Sequence, residues 1–149
     1  MTTSDIINAL PYDVPFLFVD EIIEVANTGI KGTYTYSEKL EFYKGHFKEY
    51  PVTPGVILTE TMAQIGVVCL GIYLLSTTTN KDNGKASVAL TSSNIEFLKP
   101  VFPNEKVWVV SEKIYFRFGK LKCNVKMINK NEEVVCMGEI AGMLISKKE

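Results

Sequence analysis

A chain of 149 residues with 17 acidic and 16 basic side chains carries a net charge of −1. It lies in the usual size range of one domain, here residues 1–149, and can bury a substantial core without disulfides or a structural metal. The charges are spread without a long run of one sign, which excludes a whole-surface attraction to nucleic acid or to an anionic membrane. Cys69, Cys123 and Cys136 are an odd set without CxxC spacing, each among apolar residues. They read as buried free thiols in a reducing compartment, and with a single histidine no His/Cys metal cage is expected within one subunit.

At the N-terminus, Met1-Thr2-Thr3-Ser4-Asp5 lacks the charged start and apolar core of a signal peptide, which predicts a cytoplasmic location. Ser4 to Leu10 suits a short helix capped by Ser4 and stopped before Pro11. Phe16 to Val25 is rich in β-branched and aromatic residues, breaks at Asn27-Thr28-Gly29, and resumes over Ile30 to Tyr36, a pattern that predicts a hairpin.

From Pro54 to about Leu75 runs one long apolar segment, with Thr53 expected as N-cap and Pro54 as the first helical residue. About 20 apolar residues suffice to cross a bilayer. However, Thr59, Glu60, Thr61 and Gln64 interrupt the first half, so the expectation is a helix buried on most of its circumference, not a membrane span. Ala63, Gly66 and Gly71 would let other backbone approach it closely.

After a polar loop over Ser76 to Lys85, only strand-like runs follow: Ala86 to Leu98, Lys106 to Phe118, Leu121 to Ile128 and Val134 to Ile145. Short turn signals separate them, suited to hairpins or tight bends. The order predicts an α+β domain whose antiparallel sheet curls around one long central helix.

Candidate chemistry sits where the helix begins. His46, the only histidine, precedes the stiff Pro51-Val52-Thr53-Pro54 loop, and Glu60 follows it by fourteen residues, inside the apolar helix. A carboxylate there costs several kcal/mol if left unpaired, so it is retained with a partner or a task. Gln64, one turn later, is placed to hold it. Burial should raise the Glu60 pKa so that it keeps a proton near neutrality, whereas a neutral His46 imidazole can accept one. The first-turn N–H groups of Gly55 and Val56 are natural oxyanion donors. Base, acid and oxyanion site are the parts needed to form an enolate beside a thioester and expel a β-hydroxyl as water.

The run Gly45-His46-Phe47-x-x-x-Pro51-Val52-x-Pro54-Gly55-Val56-x-x-x-Glu60-x-x-Ala63-Gln64 resembles the signature of the β-hydroxyacyl-acyl carrier protein dehydratases of fatty-acid synthesis. Leu10-Pro11-x-x-x-Pro15-Phe16-Leu17-x-Val19-Asp20 and Phe97-Leu98-Lys99-Pro100-Val101-x-Pro103 are similar to that family's N-terminal and post-helix segments. The resemblance implies the hotdog fold, His46 as base toward the α-proton, Glu60 as acid toward the departing hydroxyl, Gly55 and Val56 N–H at the thioester carbonyl, and Gln64 orienting Glu60. It implies no cofactor and no metal. It also implies a homodimer whose sites take His46 from one chain and Glu60 from the other, with a trimer of dimers as a further assembly, and an acidic acyl carrier protein as partner. Lys99, Arg117, Lys120 and Lys122 are candidates for a basic docking patch. Glu rather than Asp at position 60 resembles the branch that dehydrates without isomerising.

Two places depart from the family pattern: Tyr12-Asp13 replaces a His-Arg pair, and Lys48-Glu49 replaces Pro-Gly after His-Phe. Surface drift accounts for both; a specialised acyl chain is the sharper reading, with Tyr12, Phe16, Phe42, Tyr43, Phe47 and Tyr50 as tunnel candidates. Two rival functions share the expected fold. One is a thioesterase in which Glu60 activates water, and the other is a non-catalytic acyl-binding subunit of a dehydratase complex.

Overall fold

The computed structural model describes residues 1–78 and 86–146. Helix α1 spans Thr3–Asn8, and its cap is not Ser4 as expected but Thr2. Thr2 Oγ1 accepts from the Asp5 N–H at 3.1 Å while Asp5 accepts from the Thr2 N–H at 2.8 Å. This reciprocal box satisfies two end donors at once, an advantage Ser4 could not match from within the first turn.

Strand β1 (Glu21–Ala26) pairs antiparallel with β2 (Gly29–Thr35), confirming the hairpin. The strand is shorter than the expected Phe16 to Val25, because Phe16 O and Phe18 N–H bond to the Gln64 side chain rather than to a neighbouring strand. A 3-10 turn over Glu41–Lys44 then leads to His46.

The central helix begins at Gly55 with Pro54, not Thr53, in the N-cap position. Thr53 lies one residue too early, and its hydroxyl is instead bonded to the Tyr43 hydroxyl at 2.6 Å. The helix runs as α2 (Gly55–Ala63), a π-helical stretch Gln64–Cys69, and α3 (Leu70–Thr78). It therefore extends past the expected end into the segment read as a polar loop, of which 79–85 lies outside the described residues. The π stretch is a local widening that sequence periodicity did not suggest. Ser111 Oγ donates to the Gly66 carbonyl at 2.8 Å, supplying a partner where the helical ladder is re-spaced.

Every residue from Thr61 to Ile72 is buried. The stretch Gly55–Thr77 is long and apolar enough to span a bilayer, but 72% of its most apolar window is covered by the rest of the chain. It is a core helix. Full burial of Ile65 and Leu70 contributes about 1.5–3 kcal/mol each.

Strands β3 (Ala86–Phe97), β4 (Lys106–Arg117), β5 (Lys120–Ile128) and β6 (Val134–Ser146) complete one antiparallel sheet in the order β1-β2-β4-β5-β6-β3. β4, β5 and β6 are consecutive neighbours, as hairpin-length turns require. β3 is not: it lies at the sheet edge beyond β6, so the Lys99–Asn104 segment is a crossover rather than a hairpin turn. That segment is pinned by the Leu98 N–H to Val135 O at 2.8 Å and by the Thr53 N–H to Val101 O at 2.8 Å. The second bond ties the crossover to the loop that starts the helix.

Gly138 on β6 pairs with Ile95 on β3, and a Cβ there would collide with the neighbouring Asn94 carbonyl. Replacing Gly138 by Ala should therefore loosen the edge strand and cost about 1–3 kcal/mol, measured as a lower urea midpoint. Gly45→Ala is the control, since a Cβ there meets nothing within 4 Å, and it should stay within about 0.5 kcal/mol of the parent.

Candidate active site

His46 follows the 3-10 turn, and its ring is fixed from two sides. Nδ1 lies 2.7 Å from the Val52 carbonyl oxygen, and the ring stacks on Phe47 with centroids 4.6 Å apart. A carbonyl only accepts, so Nδ1 carries the hydrogen, and in the neutral tautomer this selects, Nε2 holds the free lone pair. Phe47 holds a left-handed backbone at φ 59°, which costs a non-glycine residue about 1–2 kcal/mol. The Val52 carbonyl is held in turn, because neighbouring Thr53 bonds Tyr43 through its side chain and Val101 through its N–H. Sequence reading could not have found Val52, since a main-chain carbonyl leaves no mark on residue type.

Glu60 sits on α2, half-buried, with Oε2 accepting from Gln64 Nε2 at 2.9 Å. Gln64 is fully buried. Its Nε2 also donates to the Phe16 carbonyl at 2.9 Å, and its Oε1 accepts from the Phe18 N–H at 2.8 Å. Burial raises the Glu60 carboxyl above its ordinary 4.5, and the Gln64 hydrogen bond pulls part of that back. The expected Gln64–Glu60 pairing is present. The tie to the N-terminal segment was not foreseen.

Gly55 and Val56 form the first turn of α2, and the described residues offer no hydrogen-bond partner to either N–H. Both line an open cleft of about 740 Å³ together with Thr59, Glu60, Asn94 and Phe97. Phe97 explains a second need for glycine at 55: a Cβ there would lie 3.2 Å from its ring. The resemblance motif contained Phe97, but nothing in the sequence placed it against Gly55.

Within one chain the structure does not unite the whole set. Gly55, Val56, Glu60 and Gln64 converge, whereas neither of the two cavities lined by Glu60 includes His46, and among the described residues no hydrogen bond joins the two side chains.

The aromatic residues also divide. Tyr12 and Phe16 line the second Glu60 cavity, but Tyr43 is core, Phe47 stacks on His46, and Tyr50 packs on Phe102 at 5.4 Å. Phe42 packs against Tyr43 at 4.6 Å. None of those four lines a cavity that Glu60 lines, and Phe47 and Tyr50 are exposed.

Of the basic candidates, Lys99 pairs with Glu133 at 2.8 Å and Lys122 with Glu139 at 3.1 Å, and Arg117 lies 4.4 Å over the Tyr115 ring. Such exposed pairs are worth at most about 1 kcal/mol. The three thiols are buried as expected, and burial pushes Cys123 up to about 11 and Cys136 up to about 12, with Cys69 higher still. They are inert at neutral pH.

A six-stranded antiparallel sheet around one long buried helix, with a carboxyl group at the helix start, defines an α+β hotdog domain. The chain belongs to the family of FabA-like domains, whose pattern it matches over residues 10–141. It is 35% identical over 123 residues to the 3-hydroxyacyl-[acyl-carrier-protein] dehydratase FabZ of Geotalea uraniireducens, covering 80% of each chain. Among solved structures it is similar to the dehydratase heterocomplex ApeI:P from Xenorhabdus doucetiae, with TM-score 0.78 and 13% identity over 99% of this chain and 93% of that one. It is also similar to a mutant of thioesterase PA1618 from Pseudomonas aeruginosa, with TM-score 0.68 and 9% identity over 98% and 95%. At those identities the structures speak to the fold alone.

Because Glu60 binds its proton more tightly when folded than unfolded, the native state holds the extra proton in the interval above 4.5. Stability contributed by the neutral carboxyl is present at low pH and is lost as pH rises through the raised folded value. Glu60→Gln, which can still accept from Gln64, lacks this loss. Urea melts of the two proteins should agree at about pH 4 and diverge above about pH 5 in favour of the variant; a constant difference across pH would remove the burial argument.

Proposed function

We propose that the protein dehydrates 3-hydroxyacyl thioesters to trans-2-enoyl thioesters in fatty-acid or related polyketide or polyene biosynthesis. One observation carries this reading: a half-buried carboxyl with a raised pKa shares a cleft with two unpartnered helix N–H groups. A thioester carbonyl seated on the Gly55 and Val56 N–H groups gains acidity at its α-carbon, because the donors and the helix dipole stabilise the enolate oxygen. His46 Nε2 takes the α-proton, with Nδ1–H anchored on Val52 throughout. Electrons move from the C–H bond through the enolate into the new double bond, and the C3–O bond breaks as neutral Glu60 gives its proton to the hydroxyl. Water leaves. The imidazolium and the carboxylate then return to their starting states by a net proton transfer from His46 to Glu60. Gln64 positions Glu60.

The working unit is a homodimer, and the whole of 1–149 is one domain. β3 lies at the sheet edge, and Val56, Leu90, Phe97 and Leu98 around the cleft are half or more exposed. Pairing two copies along β3 would cover this apolar rim and bring a partner's His46 to Glu60. A trimer of such dimers is the further assembly that the family resemblance implies. The acyl group arrives on an acidic carrier protein that meets Lys99, Arg117, Lys120 and Lys122, and the enzyme works in the cytoplasm without a cofactor.

Incubating the protein with a carrier-bound 3-hydroxyacyl thioester should give enoyl thioester without free thiol. Thiol release would instead favour a thioesterase, and binding without turnover a non-catalytic subunit. His46→Ala and Glu60→Gln should each lower kcat by about a thousandfold or more while remaining folded oligomers. Mixed after unfolding and refolding together, the two inactive variants should regain about a quarter of parental activity, since half the dimers are mixed and each carries one intact site. No recovery would place both residues in one chain's site.

A further inference from the structure

Beyond Glu60 the cleft gives way to a second cavity of about 200 Å³, walled by Tyr12 and Phe16 from the N-terminal segment, by Ala63 and Val67 from the helix and by Val88 from β3. Val88 packs closely on the helix at Gly71, where a Cβ would lie 2.9 Å from its methyl.

Apart from Glu60 at the mouth, the Tyr12 hydroxyl is the one polar side-chain group among the residues lining this cavity. It makes no hydrogen bond to any described residue. The ring is not loose: it packs on Phe16 at 6.2 Å, Phe16 packs edge-on against Phe18 at 5.2 Å, and Gln64 holds the backbone of both phenylalanines.

Burial, the Glu60 carboxylate and Cys69 push the phenol up to about 12, so it stays protonated and able to donate. Tyr12 shares the cavity wall with Ala63 and Val67, about one and two turns along the helix from Glu60, so a tail that passes Glu60 meets its side chain at that depth.

An acyl tail that fills the cavity strips water from this hydroxyl. A saturated tail returns no hydrogen bond, so the donor is left buried and unsatisfied. A tail carrying an acceptor at that depth, whether a carbonyl oxygen or the π face of a conjugated or aryl group, replaces the lost water. We propose that Tyr12 is a specificity-determining residue that selects 3-hydroxyacyl thioesters whose tail presents a hydrogen-bond acceptor over saturated tails of equal length. The proposal rests on the dehydratase reading above and adds the class of substrate.

The test uses the full-length protein and three thioesters of equal chain length: saturated, with a conjugated diene in the outer half of the tail, and with a ketone at the same depth. The measured quantity is the ratio of kcat/KM for each acceptor tail to that for the saturated tail, taken within one protein so that general losses cancel. The parent should favour at least one acceptor tail by about fivefold to tenfold, and Tyr12→Phe should bring that ratio to about one. Preference for the ketone assigns an oxygen acceptor, and preference for the diene assigns a π face. A parental ratio of one, or a ratio that Tyr12→Phe leaves unmoved, overturns the selection while elimination itself persists. No elimination with any of the three removes the dehydratase reading, and the proposal with it.

Discussion

Gln64 is the joint on which the rest of the molecule depends. Its amide is fully buried, and three hydrogen bonds hold it: one to Glu60, one to the Phe16 carbonyl and one from the Phe18 N–H. A buried amide left without partners would cost several kcal/mol, so these bonds fix the places of three separate pieces of chain relative to one another. The helix gains a docked N-terminal segment, the carboxyl gains an orientation, and the cavity beyond it gains a wall. That the helix widens into its π stretch at this residue accords with the usual location of such widenings at functional sites.

Around that joint, the site is assembled from elements that are stiff for independent reasons. Helix α2 is anchored by the sheet wrapped around it, and β3 is anchored by its long pairing with β6. The loop carrying His46 depends instead on polar contacts. Tyr43 to Thr53, Thr53 to Val101 and His46 to Val52 run as a chain of short hydrogen bonds from the 3-10 turn to the crossover segment. A ring so held has little freedom left to lose on binding, and such positioning is how a barrier is lowered where a group reacts. The Glu60 carboxyl is tuned differently: desolvation favours its neutral form, and a single amide limits how far.

Much of this was legible in the sequence for identifiable reasons. An apolar run interrupted by Glu60 and Gln64 at one-turn spacing can hardly be anything but a buried helix with a coupled polar pair. Alternating runs separated by short turns give antiparallel strands. What was not legible depends on backbone groups or on distant pairing. Thr53 looked like a helix cap, yet its hydroxyl is bonded to Tyr43. Phe16 to Phe18 looked like strand, yet a side chain forty-odd residues away takes the Phe16 carbonyl and the Phe18 N–H. The resemblance to carrier-protein dehydratases carried the roles of the site residues further than spacing could.

By itself, the sequence determined the element types, the buried helix and the pairing of Glu60 with Gln64, and it marked His46, Gly55 and Val56 as candidates, because each rests on local periodicity or on side-chain chemistry that residue type encodes. Only the tertiary structure decided that β3 lies at the sheet edge beside β6, that Phe97 covers Gly55, that Tyr12 rather than Tyr43 or Tyr50 borders the cavity beyond Glu60, and that His46 and Glu60 of one chain share no cavity lined by Glu60. Those outcomes depend on which surfaces meet once the sheet has closed around the helix, and packing between residues far apart in sequence leaves no periodic trace in the order of the amino acids.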